Sequence, residues 1–141
     1  MLKGIDPLLT PDLLHVLASM GHGDRIAIVD ANFPAASKAR RLVAMPGIGS
    51  PEALDAILKL LPIDDFEPDP VAVMQVVGDP AAVPPVAAAF TAVLRQHGLP
   101  PPASLERHAF YQATDAAVAV VQTGERRFYG CILLTKGVIP P

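Results

Sequence analysis

The chain has 141 residues, 51% of them apolar and 18% charged, with a net charge of −3 and one cysteine, Cys131. That balance fits a single domain spanning residues 1–141, excludes a disordered chain, and offers no basic stripe for a nucleic-acid partner. The lone cysteine excludes an internal disulfide and a multi-cysteine metal centre, and no apolar run reaches the ~18–20 residues needed to cross a bilayer.

Near the start, Met1-Leu2-Lys3-Gly4-Ile5-Asp6-Pro7 lacks the long apolar core of a signal peptide, so a reducing, cytoplasmic setting is expected. The apolar excess implies that other subunits cover part of the exterior. Thr10-Pro11-Asp12 is a helix start: a cap, a proline at the first helical position and an acid at the positive dipole end. Leu13, Leu14, Leu17 and Met20 follow at helical spacing, His15 falls outside that stripe, and Gly21 is expected to supply a left-handed stop.

Met20-Gly21-His22-Gly23-Asp24 then leads into an apolar run from Arg25 to Val29 without alternation, the pattern of a central strand covered on both faces. Asp30 comes directly after it. Residues 31–40 read as irregular, and Arg41 to Met45 as a short strand ended by Pro46-Gly47. Ser50-Pro51-Glu52 opens a second helix with Leu54, Ile57, Leu58 and Leu61 on its apolar face and Pro62 as its stop.

An acidic, proline-bearing loop (63–70) precedes a β-branched strand, Val71 to Val77, with Gly78-Asp79-Pro80 as the turn. A third helix is expected from Pro84-Pro85 to Gly98, and Pro100-Pro101-Pro102 is a rigid connection. Ser104 to Tyr111 reads as a brief extended piece and a helical turn. Ala116 to Gln122 and Phe128 to Leu134 read as strands joined in a longer hairpin. Together these elements predict a three-layer α/β/α domain around a mixed, mostly parallel sheet.

The chemistry concentrates in a few places. Gly47-Ile48-Gly49-Ser50 precedes a helix but has no Walker-type lysine and no complete dinucleotide fingerprint, so it reads as a turn and cap. His22, Asp24 and Asp30 match no zinc spacing, and Cys131, inside a predicted strand, reads as a buried small residue. Locally, Gly21 and Gly23 serve equally well as a turn that leaves His22 in solvent or as a frame that presents it.

General acid/base work is the best fit, because an imidazole with an ordinary pKa of about 6.5 gives and takes protons near neutrality. Asp30 accepts, Arg107 donates from a fixed fork, and Tyr129 does either. With Phe33 and Tyr111 they suit a neutral polyhydroxylated ligand. Arg107 has an alternative as a surface ion pair with Glu106 or Asp115, and Tyr129 as an ordinary strand aromatic.

These motifs resemble the L-fucose mutarotase and D-ribose pyranase family, closest to its fucose branch. The residues that carry the resemblance are Leu2-Lys3-Gly4-Ile5, Met20-Gly21-His22-Gly23-Asp24, Asp30-Ala31-Asn32-Phe33-Pro34, Arg107 with Phe110-Tyr111, Thr123-Gly124-Glu125, and Tyr129-Gly130-Cys131-Ile132-Leu133-Leu134 with Lys136-Gly137. The resemblance implies an isomerase that interconverts the anomers of a free monosaccharide, without metal or organic cofactor. It places the catalytic histidine at His22 and substrate contacts at Asp30, Arg107 and Tyr129-Gly130-Cys131. Tyr129 is expected to share the proton transfers.

The resemblance also implies a homo-oligomeric ring, often a decamer, with sites at subunit contacts. The family usually has asparagine where this chain has Cys131, which implies an altered sugar preference or weakened binding. The alternative is a ring-forming sugar-binding or sensing protein in which that change has removed activity.

Overall fold

The computed structural model describes residues 1–141. In chain order the elements are α1 (Pro11–Ser19), β1 (Arg25–Val29), α2 (Ala35–Lys38), β2 (Leu42–Met45), α3 (Ser50–Leu58), β3 (Val71–Met74), α4 (Pro85–Gln96), β4 (Ala103–Leu105), α5 (Arg107–Asp115), β5 (Ala119–Thr123) and β6 (Ile132–Thr135). The six strands form one sheet in the order β2-β5-β1-β6-β3-β4. Only β6 runs against its neighbours, β1 and β3, so the sheet is mixed and mostly parallel, as expected.

The period-two geometry of strands decides which layer each side chain joins. Ile26 and Ile28 of β1, with Ile132 and Leu134 of β6, face the larger core under α1, α3 and α4. Ala27 and Val29, with Cys131 and Leu133, face a smaller core that includes Phe33, Ala35 and Phe110 from the α2 and α5 side. Both faces are therefore covered, which explains why β1 reads as an unbroken apolar run.

Four local expectations need correction. The two last strands do not form a hairpin: β5 pairs parallel with β1, and β6 pairs antiparallel with β1 on its other edge. Strand β1, buried from Ile26 to Val29, needs a hydrogen-bonding partner on both edges. Residues 124–131 step over its end, where the Thr123 hydroxyl donates to Val29 O (2.8 Å) and Ala31 N–H to Glu125 O (2.9 Å).

Gly21 is not the left-handed stop. Helix α1 ends with Met20 in an extended conformation, and the left-handed glycine is Gly23, at φ +82°. Residues 31–40 are not wholly irregular, since Ala35–Lys38 makes one short helix. Finally, α5 is a full nine-residue helix rather than a turn, started by Glu106, whose carboxylate accepts the N–H groups of His108 (2.8 Å) and Ala109 (3.3 Å).

Candidate active site

The carboxyl end of β1 is the centre of the site. Asp30 follows the strand directly and is buried. Its Oδ1 accepts Asn32 N–H (2.9 Å), and its Oδ2 accepts Gly130 N–H (3.1 Å) and the Cys131 thiol (3.4 Å). Because β6 runs antiparallel to β1, the start of β6 lies at this same end, which delivers Tyr129-Gly130-Cys131 beside Asp30. Ligands in open α/β sheets gather outside the carboxyl ends of the strands, which makes this end of the sheet the candidate site.

A cavity of about 380 Å³ opens there, at the small end of the ~300–1,000 Å³ usual for small-molecule sites. Asp30, Arg107, Tyr129 and Cys131 all line it, together with Phe33 and Tyr111. Arg107 stands at the first position of α5 and makes no ion pair, so the alternative pairing with Glu106 or Asp115 is not formed; Asp115 pairs with Lys38 instead (3.0 Å). Phe33 packs edge-on to Tyr111 at 5.5 Å between ring centroids, which gives the cavity an aromatic wall.

Cys131 is buried, and loss of hydration together with the Asp30 charge pushes its thiol well above the ordinary range. It is a neutral S–H donor to Asp30, as a buried small residue should be, and not a nucleophile.

Glu125 braces the wall behind this cavity. It is buried at the start of α3, where its carboxylate chelates the Arg127 guanidinium at 2.9 and 2.8 Å and accepts Arg127 N–H at 3.0 Å. The Arg127 pairing, with the Ser50 amide adding its part, holds the Glu125 carboxyl at about 2. Space here is tight: a Cβ on Gly130 would lie 2.6 Å from Glu125 Cγ, and one on Gly124 only 2.1 Å from the Pro46 carbonyl oxygen.

A carboxyl lowered from an ordinary 4.5 to about 2 contributes stability that is complete above pH 4.5 and is lost as pH falls through about 2. Denaturant titrations between pH 5 and pH 2 are expected to show that loss in the wild type. Glu125→Gln should be less stable at pH 7 and flatter across the acid window.

His22 lies elsewhere. It precedes β1, so the whole strand, roughly 17 Å at ~3.3 Å per residue, separates it from Asp30. One chain therefore does not bring His22 into the cavity of Asp30, Arg107 and Tyr129. The imidazole instead borders a larger, apolar groove of about 730 Å³ lined by Leu14, Leu17, Leu61, Val138 and Ile139 among others.

There it has a partner that local sequence reading missed: His22 Nε2 sits 2.9 Å from Asp64 Oδ1. Burial pushes the Asp64 carboxyl up, but His22 and the amides of Phe66 (3.4 Å) and Glu67 (3.2 Å) more than offset this and hold it below its usual range. An ionised Asp64 calls for a hydrogen on Nε2, so in the neutral imidazole Nδ1 is the atom with the lone pair, and nearly half of the side chain stays exposed. The only sequence signal for Asp64 is an acid just after Pro62, the expected stop of α3, although the helix itself already ends at Leu58.

Compared with known proteins, residues 3–139 match the RbsD / FucU transport protein family. The chain belongs to that family. Among RbsD/FucU relatives, it is 42% identical to the fucose mutarotase of Homo sapiens over 98% of this chain and 94% of that one. It is equally 42% identical to the L-fucose mutarotase of Actinobacillus pleuropneumoniae serotype 5b, over 99% of both. The fucose mutarotase from Streptococcus pneumoniae, solved in complex with L-fucose, superposes with a TM-score of 0.92 at 39% identity, over 99% of this chain and all of that one. Bacillus subtilis RbsD, complexed with D-ribose, shares the fold at a TM-score of 0.78 and 22% identity, over 99% of this chain and all of that one. The six-stranded α/β architecture is thus the RbsD/FucU fold.

Proposed function

We propose that this chain is an isomerase that interconverts the anomers of a free monosaccharide, with L-fucose the first candidate, at a site shared between neighbouring copies of itself. The observation that carries this reading is the full-length similarity to fucose mutarotases, one of them solved with L-fucose, combined with a monosaccharide-sized cavity lined by Asp30, Arg107 and Tyr129. A neutral sugar offers hydroxyls to a fixed carboxylate and guanidinium and an apolar face to the aromatic wall.

Anomer exchange opens the hemiacetal. A base takes the proton of the anomeric hydroxyl, the bond from the anomeric carbon to the ring oxygen breaks, and an acid protonates that oxygen. Rotation about the bond to the first carbon and the reverse steps then close the ring on the other face. Tyr129 supplies the proton to the ring oxygen. His22, with Nδ1 free, is the base. Asp30 and Arg107 orient the sugar, and Asp64 orients His22. The protons return on closure, so no net acid or base is consumed.

Since His22 and Asp30 occupy opposite ends of β1, the base must come from another copy. The contact then joins two different surfaces of the same chain, a head-to-tail arrangement that closes into a ring when the rotation per subunit divides a full turn. The apolar groove beside His22 and the exposed Phe66 and Phe128 are the surfaces such a ring would cover. Saturation-transfer NMR on a panel of free sugars tests the activity. Exchange between anomeric signals that depends on the protein supports the reading, whereas binding without exchange would make the chain a sugar-binding protein.

A further inference from the structure

Strand β3 ends at the cavity, and the segment after it folds back in a tight turn. Asp79 N–H donates to Val76 O at 3.2 Å, with Gly78 left-handed at φ +81°. At the tip of this turn, Val77 N–H donates to the Tyr129 hydroxyl oxygen at 3.2 Å. The other end of Tyr129 is also fixed. Its backbone is the only non-glycine in the left-handed region, at φ +63°, and the next amide, Gly130 N–H, is held by Asp30. A tyrosine in that conformation persists only where its surroundings over-determine it.

A phenolic oxygen carries one hydrogen and two lone pairs. The Val77 amide occupies a lone pair, and no protein group accepts the Tyr129 hydrogen. That hydrogen is therefore left for whatever occupies the cavity that Val77 and Tyr129 both line.

We infer that the backbone amide of Val77 is a positioning group for the reaction: it makes Tyr129 a proton donor toward the sugar and stabilises the charge that builds on the phenolic oxygen as the proton leaves. The inference rests on Tyr129 being the group that protonates the ring oxygen. As the O–H bond breaks, the Val77 N–H changes from a neutral hydrogen bond to a charge-assisted one, about twice as strong. A contact that strengthens only on the way to the transition state raises kcat and leaves substrate binding nearly untouched.

Val77→Pro removes the N–H, and proline suits this position because Val77 is the second residue of a four-residue turn whose third residue, Gly78, is left-handed. Exchange kinetics at varied sugar concentration should show kcat lowered about 5- to 50-fold with KM changed less than about twofold. In a Tyr129→Phe background the same change should add less than about twofold, because the amide acts through the hydroxyl.

Equal factors in both backgrounds, or an unchanged kcat, would overturn the inference. If Tyr129→Phe alone retained wild-type exchange, the assignment of Tyr129 as the acid would fail first, and the two failures are distinguishable. A second measurement needs no proline: the Val77 amide proton resonance should move upfield in Tyr129→Phe, and an unmoved resonance would refute the hydrogen bond itself.

Discussion

His22→Ala and His22→Gln are expected to lower the rate of anomer exchange about 10²–10⁴-fold while leaving the fold intact. The side chain is nearly half exposed and contributes no core packing, so the structural cost of its loss is confined to the hydrogen bond it makes to the buried Asp64 carboxylate. Glutamine still offers a polar group to Asp64 but has no titrating nitrogen, so it should be as inactive as alanine. Read from denaturant midpoints at fixed protein concentration, His22→Gln should stay close to wild type, and His22→Ala should fall somewhat below it because Asp64 loses a partner. Wild-type exchange in His22→Gln would remove the imidazole from the mechanism.

Asp30→Ala is expected to be the most damaging single change in the cavity, because it acts on stability and activity together. The carboxylate satisfies two backbone donors and a thiol, and the Gly130 amide is buried. Leaving buried donors unpaired costs about 1–3 kcal/mol each, and the Asn32 amide, which lies nearer solvent, recovers part of that from water. A loss of about 2–4 kcal/mol should appear in denaturant unfolding, with sugar-dependent NMR changes abolished. Asp30→Asn keeps one acceptor and most of the shape. It should unfold closer to wild type yet lack activity, since the amide cannot accept from both the protein and the sugar.

The elements most legible in the sequence are those whose signals are local. Thr10, Pro11 and Asp12 predict the start of α1, and the Thr10 side chain does accept Leu13 N–H at 3.3 Å. The unbroken apolar run of β1 predicts a strand buried on both faces. Strand pairing is not local, which is why β5 and β6 read as a hairpin although β1 lies between them. Helix α5 reads as a turn in the sequence because it buries only Phe110 and Thr114, too sparse a stripe to show helical periodicity.

The site divides the same way. Asp30 and the Tyr129 segment lie at the end of a predicted strand or the start of another, where ligands gather. From the sequence, His22 and Asp30 read as two groups at the ends of one strand that could share a pocket; the structure shows that β1 holds them apart within one chain. The His22–Asp64 contact could not be seen, because it joins residues 42 positions apart through the bridge of Ile63 to Lys136.

The proposed site takes its imidazole from one copy and its carboxylate from another. His22→Ala and Asp30→Asn proteins, each inactive, can be unfolded together and refolded as a mixture, with mixed assembly confirmed by native mass spectrometry. Random pairing at a head-to-tail contact gives about one site in four with both groups intact. Anomer exchange should then return to about a quarter of the wild-type rate per chain. A mixed assembly as inactive as its parents would contradict the shared site.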